Sequence, residues 1–198
     1  GLNYKRPLKG MNYHTRPVLT VAVVDNGTQC VSAGDDGYIC LWNTTMLSLI
    51  TKYYAGTSIY CSAIMFTLHG TKLAVEESLL SHVVCCGTKS GQIFVLPMPL
   101  ARKKPKENFR WDGIVLQTGS SYPCTSIHSH WGFLFAGFAD GSMRVWSLEN
   151  KRYDPSKHND VINSLNFTQL STQTQHNATI TGICFAGEYL FTAAHDFS

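Results

Sequence analysis

Four groups of residues have the types and spacing to do chemistry. Asp35 and Asp36 lie together in SAGDDGYICLW, residues 32–42, where a tight turn would offer two carboxylates to a divalent cation. Ser126, His128 and His130 alternate along CTSIHSH, so an extended backbone would put all three on one face, the pattern of a metal ligand set or of a nucleophile beside a base. Arg102, Lys103, Lys104, Lys106 and Arg110 form one basic cluster, and Lys151, Arg152 and Lys157 form a second. Together they hold half of the sixteen Lys and Arg residues, a distribution suited to an anionic partner such as RNA, an acidic peptide or membrane phosphate. Seven cysteines supply the remaining reactive groups.

Each of these has a plainer reading. Hard cations want about six or more oxygen ligands, and no second acidic cluster supports the Asp pair. The stretch therefore reads as a strand-linking turn in which Asp36 accepts buried hydrogen bonds and Asp35 faces solvent. No acidic partner adjoins Ser126, His128 and His130 in sequence, and no glycine-rich phosphate loop, Cys-x-x-Cys or His-Glu-x-x-His motif occurs. His82, His158 and His195 read as loop or turn residues. No catalytic residue, metal or cofactor is expected, and the chain is not expected to be an enzyme. The odd cysteine count, with Cys85 and Cys86 adjacent and on opposite faces of a strand, fits reduced, buried thiols. The basic clusters fit solvated loops at least as well as a binding surface. Tyr53, Tyr54, Tyr60, Tyr122, Phe138 and Trp131 fall at strand ends or loops. There they could cage a cation or stack on a base, although core packing and interface anchoring are the ordinary uses.

The elements that position these residues are strands. With 198 residues, 44% hydrophobic and 15% charged, the chain can bury a substantial core. Aromatics at 12%, with many Val, Ile, Thr and Cys and few Ala, Glu and Lys, favour sheet over helix. A net charge of +3 is too small in itself to imply nucleic acid. The N-terminal GLNYKRPLKG lacks the apolar core of a signal peptide, and no run nears the roughly 18 apolar residues of a membrane span. An intracellular protein, cytoplasmic or nuclear, is the expectation.

Sliding SAGDDGYICLW along the chain finds CGTKSGQIFVL at 86–96, AGFADGSMRVW at 136–146 and TAAHDFS at 192–198. Asp36, Ser90, Asp140 and Asp196 share one column of this frame, and Trp42, Leu96 and Trp146 share another, six residues on. Each unit reads as short strands separated by turn signals: PVLTVAVV, QCVSAG, YICLW and LSLITKYY in the first.

The units resemble the WD-repeat family, whose members build β-propellers from four-stranded blades of about 40–45 residues. His14 stands 28 residues before Trp42, Ser32 four before Asp36, and Asp36 six before Trp42, all at the family's spacing. The resemblance implies that these four side chains form one hydrogen-bonded chain inside the blade. It carries His176, Thr192 and Asp196 into the same roles in the fourth unit, and Asp140 and Trp146 in the third, where Ala136 replaces the serine and no histidine is in place. LFAGFADGSMRVW and ITGICFAGEYLFTAAHD resemble the propellers of zinc-finger WD-repeat proteins and of F-box WD-repeat substrate receptors, although neither a zinc finger nor an F-box is present in this sequence. The first unit is similar to one blade of the striatin scaffolds.

The expected fold is thus all-β, a WD-repeat β-propeller with about three and a half four-stranded blades, part of a larger closed ring. Residues 1–10 are read as an outer strand of a preceding blade and 11–56 as a blade. Residues 57–119 form a degenerate blade with insertions, 120–176 a blade with a long insertion, and 177–198 a truncated blade. Insertions at 68–81, 97–110 and 149–163 map to one face, the expected partner-binding surface. The implied function is a non-enzymatic protein–protein scaffold or adaptor with protein partners. The alternative is a propeller that holds RNA or another anionic ligand on the basic loops 102–110 and 151–157.

Overall fold

The computed structural model describes residues 12–24, 27–66, 82–98, 111–150 and 165–196. They form three four-stranded antiparallel sheets and a two-stranded one, each taking its strands in chain order. The first holds β1 (Val18–Val23), β2 (Gln29–Gly34), β3 (Tyr38–Asn43) and β4 (Ser48–Tyr54). The second holds β5 (Ile59–Phe66), β6 (His82–Thr88), β7 (Ile93–Pro97) and β8 (Ile114–Leu116). The third holds β9 (Cys124–His130), β10 (Phe133–Phe138), β11 (Ser142–Asn150) and β12 (Leu165–Thr174), and the fourth β13 (Ile180–Ala186) and β14 (Tyr189–Ala194). No helix of the described residues is long and apolar enough to cross a membrane.

The middle strands read as unbroken apolar runs because both of their faces are covered. Val31, Ala33, Ile39 and Leu41 of the first sheet pack on Val84, Cys86, Phe94 and Leu96 of the second. Val83, Cys85, Ile93 and Val95 turn the other way, onto Cys124, Ile127, Leu134 and Phe138 of the third sheet. Met143 and Val145 then meet Ile180 and Ile183 of the fourth. Cys85 and Cys86 do lie on opposite faces, one in each seam.

Neighbouring sheets touch mainly through their first strands, β1 beside β5, β5 beside β9 and β9 beside β13. Small hydroxyls stitch these inner strands together. The Thr20 and Ser62 hydroxyls share a bond of 2.8 Å, and Ser129 Oγ donates to the Ile64 carbonyl at 2.6 Å. Each first strand also carries one residue that skips the pairing register: Leu19, Tyr60, Thr125 and Thr181. Such bulges increase local twist, which the crowded inner edge of radiating sheets requires.

The same joint closes each unit. The amides of Asp35, Lys89, Ala139 and His195 donate to the carbonyls of Pro17, Ser58, Pro123 and Thr179, and so fix the turn after each second strand to the segment that enters its sheet. Gly37, Gly91 and Gly141, all at positive φ of 76–81°, end the turns. A Cβ at Gly141 would overlap the carbonyl oxygens of His176 and Ala178 on the segment leading to the next sheet, and Gly91 faces Ser120 and Tyr122 in the same way. Gly141 is therefore held by conformation and by space together. Gly27, at φ of 67°, has open space around its Cβ position. Gly27→Ala should cost about 1 kcal/mol and Gly141→Ala at least about 2 kcal/mol in denaturant unfolding, since the second adds steric displacement of the inter-sheet segment to the strained φ.

Candidate functional site

Trp42, Ser32, His14 and Asp36 meet on the first sheet. Trp42 Nε1 donates to Ser32 Oγ at 2.8 Å, Ser32 Oγ lies 2.8 Å from His14 Nε2, and His14 Nδ1 lies 3.0 Å from Asp36 Oδ2. The chemistry fixes the direction. Indole N–H can only donate and a carboxylate only accept, so His14 carries its proton on Nδ1, and Ser32 donates to Nε2 while accepting from Trp42. Asp36 also accepts the amides of Thr15 at 3.0 Å and Tyr38 at 3.1 Å. Its side chain is only 3% exposed and that of His14 7%. Burial alone would raise the Asp36 pKa. The hydrogen bonds from His14, Tyr38 and Thr15 outweigh it and hold the carboxyl below its ordinary value.

The fourth unit repeats the arrangement. His176 Nδ1 lies 3.2 Å from Asp196 and Nε2 2.8 Å from Thr192 Oγ1, while the Asn177 amide donates to Asp196 at 2.8 Å. In the third unit Asp140 and Trp146 are not brought into such a chain. Asp140 instead accepts the Ser142 amide at 3.0 Å and hydroxyl at 2.6 Å within its own turn. Ala136 has no hydroxyl to bridge, and counting back three residues from Pro123, as His14 stands from Pro17, gives Ser120 where a histidine would be needed. Trp146 keeps its place by packing among Leu134, Leu148 and Phe167. The outer strand bulges at Ile50 opposite Trp42 and at Leu170 opposite Trp146, so the two indoles remain equivalent in register. In the second unit Ser90 bonds the Thr88 hydroxyl at 3.0 Å inside the turn, and Leu96 is core.

Asp35 departs from the expected solvent-facing role. It accepts Ser58 Oγ at 2.7 Å and pairs with Arg16 at 3.4 Å, with 38% of its side chain exposed, and so ties the turn to the segment entering the second sheet. Ser126 is buried, while His128 and His130 share a face as the alternation predicts, but their neighbour is an aromatic ring rather than an acid: both stack on Phe185, at 5.5 and 4.3 Å between centroids. His82 opens β6 and is paired with Phe66, and His195 is an exposed turn residue. No group of three or more His, Cys, Asp or Glu among the described residues is arranged to hold a metal ion. All seven cysteines are free thiols. Six are buried, and Cys184, on β13 of the two-stranded sheet, is exposed. Burial pushes the thiols of Cys40 and Cys85 up to about 12, far from a nucleophile's range.

The aromatic residues singled out by sequence do not converge. Phe138 is fully buried under the Arg144 guanidinium at 5.2 Å, and Tyr53 packs on Phe94 in the first seam. Tyr60 is half-buried, whereas Tyr54, Tyr122 and Trp131 are exposed. Two aromatic groups instead join some of them to residues not singled out, Tyr13, Tyr38 and Lys52 in the first and Phe185 in the second. Lys52 Nζ sits 4.3 Å over the Tyr13 ring and 5.7 Å from that of Tyr38, which in turn meets Tyr54 at 4.9 Å. A hydrogen bond from Lys52 to the Tyr13 hydroxyl raises the lysine's pKa. The cross-strand pairing of Tyr38 with Tyr54 was implicit in the YICLW and LSLITKYY runs. The second group joins His130 and Trp131 to Phe185. The basic residues Arg102, Lys103, Lys104, Lys106, Arg110, Lys151, Arg152 and Lys157, with His158 and most of the three insertions, lie outside the described residues.

Two outcomes follow from the bonded chain. Ser32→Ala leaves a buried indole N–H and the His14 Nε2 unpaired, and should cost about 2 kcal/mol in urea unfolding. Because the folded pKa of Asp36 is depressed, its contribution is present above the usual carboxylate pKa of about 4 and is lost as pH falls through the lower folded value. Thermal unfolding between pH 5 and about pH 2 should therefore show a drop that is smaller in Asp36→Asn.

Comparison with known proteins agrees with this geometry. The family described as WD40: WD domain, G-beta repeat, matches residues 5–43. Among curated proteins, the chain is 26% identical over 145 residues to the small ribosomal subunit protein RACK1 of Brassica napus, covering 68% of this chain and 40% of that protein. It is 28% identical over 137 residues to RACK1y of Oryza sativa subsp. japonica, covering 68% and 36%. The chain thus spans about two fifths of the length of the curated relatives it matches. Among solved structures, the computationally designed Ika4 protein superposes with a TM-score of 0.66 at 16% identity, over 98% of this chain and 95% of that one. The β-propeller domain of Myceliophteria thermophila Cps50 (Swd1) gives 0.62 at 14% identity, over 93% and 51%. The repeated sheets, the joint that closes each unit and the bonded set of His14, Ser32, Asp36 and Trp42 agree with these likenesses, and the fold is that of a WD-repeat β-propeller.

Proposed function

We propose that the chain acts as a non-catalytic protein-interaction scaffold, working in the cytoplasm or nucleus. One observation carries this reading: within the described blades the histidines of the two bonded sets and the buried thiols are engaged, while large rings stand exposed at strand ends. His14 is bound to Asp36 and His176 to Asp196, and buried thiols are held protonated. Tyr54, Tyr122 and Trp131 are 62, 53 and 76% exposed. A rigid frame that presents aromatic anchors is suited to holding a protein partner, since such rings offer large contact area at small entropic cost. Free cysteines fit a reducing compartment. The curated relatives are named as proteins of the small ribosomal subunit, which supports a role in an intracellular assembly.

A second reading rests on charge. Residues 1–110 hold twelve Lys and Arg against six Asp and Glu, a net of +6, and the cluster from Arg102 to Arg110 falls in that half. On this reading the loops 102–110 and 151–157 hold RNA or another anionic ligand by salt-sensitive contacts. Affinity capture on the immobilised chain, with and without ribonuclease, separates the two. The scaffold reading expects the captured set to survive digestion and to be retained by the Lys103→Glu, Lys104→Glu, Lys106→Glu triple variant. Loss of the set in both arms would replace it with the RNA reading.

A further inference from the structure

Trp131 occupies a position that costs backbone energy and recovers little of it by burial. The β9–β10 hairpin turns through Trp131 and Gly132 at φ of 45° and 80°. Two-residue turns with both φ positive favour Asn, Asp or Gly at the first place, and a bulky side chain there is an outlier. The indole is nonetheless 76% exposed, whereas Trp42, Trp111 and Trp146 are 4, 4 and 3% exposed. A strained residue that stays in water is retained for something other than packing.

The indole is presented on a prepared support. It lies near-parallel to the His130 ring, 5.1 Å between centroids and 10° between planes, and His130 lies on Phe185 of the next blade at 4.3 Å and 8°. Phe135 meets Phe185 from the side at 4.8 Å and 59°. The column is thus rooted in the seam between the third and fourth blades. Among the described residues the indole N–H has no hydrogen-bond partner and no ring other than His130 meets Trp131. A flat π face of this kind takes a flat group. The neighbouring turn says which: the β13–β14 hairpin that supplies Phe185 reverses through Gly187 and Glu188, so an exposed carboxylate stands three residues beyond the ring that supports the column. That charge disfavours phosphate and favours a planar cation, and a guanidinium stacks on indole with less loss of hydration than an ammonium.

We propose that the column of Phe185, His130 and Trp131 is a docking point for an arginine side chain of a partner peptide, its guanidinium stacked on the free face of the Trp131 indole. This rests on the scaffold reading and names the chemistry of one partner segment.

The test uses the whole chain and two labelled peptides of equal charge, (Gly-Arg)4 and (Gly-Lys)4, followed by fluorescence anisotropy, with acrylamide quenching of the exposed indole as a second readout. The arginine peptide should bind at least about fivefold more tightly than the lysine peptide and shield Trp131 from quencher. In Trp131→Asn that preference should vanish while Tm rises by about 2 °C or more, because Asn suits the turn. Equal affinity for the two peptides, a preference that persists in Trp131→Asn, or shielding of Trp131 by octauridylate instead of the arginine peptide would each overturn the proposal. If ribonuclease-resistant partners are still captured in that event, the scaffold reading stands and only this site falls.

Discussion

The structure depends on pairing polar groups that folding takes out of water. The face of the first sheet turned away from the second is covered by Tyr13, Tyr38 and Leu49, which leaves little solvent for an indole N–H or a carboxylate set among them, and an unpaired group there costs more than one bond returns. The first blade meets this by passing hydrogen bonds in a single direction, from Trp42 through Ser32 and His14 to Asp36. Asp36 then accepts the amides of Thr15 and Tyr38, so the same chain that satisfies the interior also fixes the segment entering the blade and the turn that leaves β2. A side-chain network thereby becomes a backbone joint.

The joint persists where the side-chain network does not. In the third blade Ala136 and Ser120 take the places of the bridging hydroxyl and the histidine, yet the Ala139 amide still reaches the Pro123 carbonyl and Gly141 still turns under the next segment. Asp140 closes on Ser142 alone, and Trp146 is held by packing. The second blade goes further, with Leu96 in the indole's column and a thiol-rich seam in place of polar contacts. The backbone joint and the apolar seams are therefore the shared requirement, and the hydrogen-bonded set is one way of reinforcing them.

This explains which features could be read from sequence. Glycines at fixed offsets from apolar runs report a steric demand that only a few residue types meet, so the units and the turns at Gly37, Gly91 and Gly141 stand out in the bare chain. The spacing of His14, Ser32, Asp36 and Trp42 is legible for the same reason: four groups of matched donor and acceptor chemistry must recur at set intervals. Which way an aromatic side chain faces is not encoded so locally. Phe138 ends a strand, where the sequence allows a ring for stacking as well as one for packing, and the seam between the second and third blades takes it in. Asp35 reads as solvent-facing, and the arrival of Ser58 from the next blade gives it a partner. Each of these depends on what a neighbouring blade brings to the residue.

The same dependence makes Trp131 hard to see in advance and informative once seen. In sequence, Trp131 falls at a strand end or loop where a ring could stack, but nothing in HWGF marks it as strained. Only the fold reveals that β9 and β10 leave two residues to reverse the chain, and that β13 supplies Phe185 beneath His130. A hairpin rooted in the seam through His130 and Phe185 can hold such a residue in a costly conformation, since it cannot relax without disturbing that contact. Packing between neighbouring blades and strain at the hairpin are therefore linked: the ring that Phe185 supports from the next blade is the ring that steadies the strained indole.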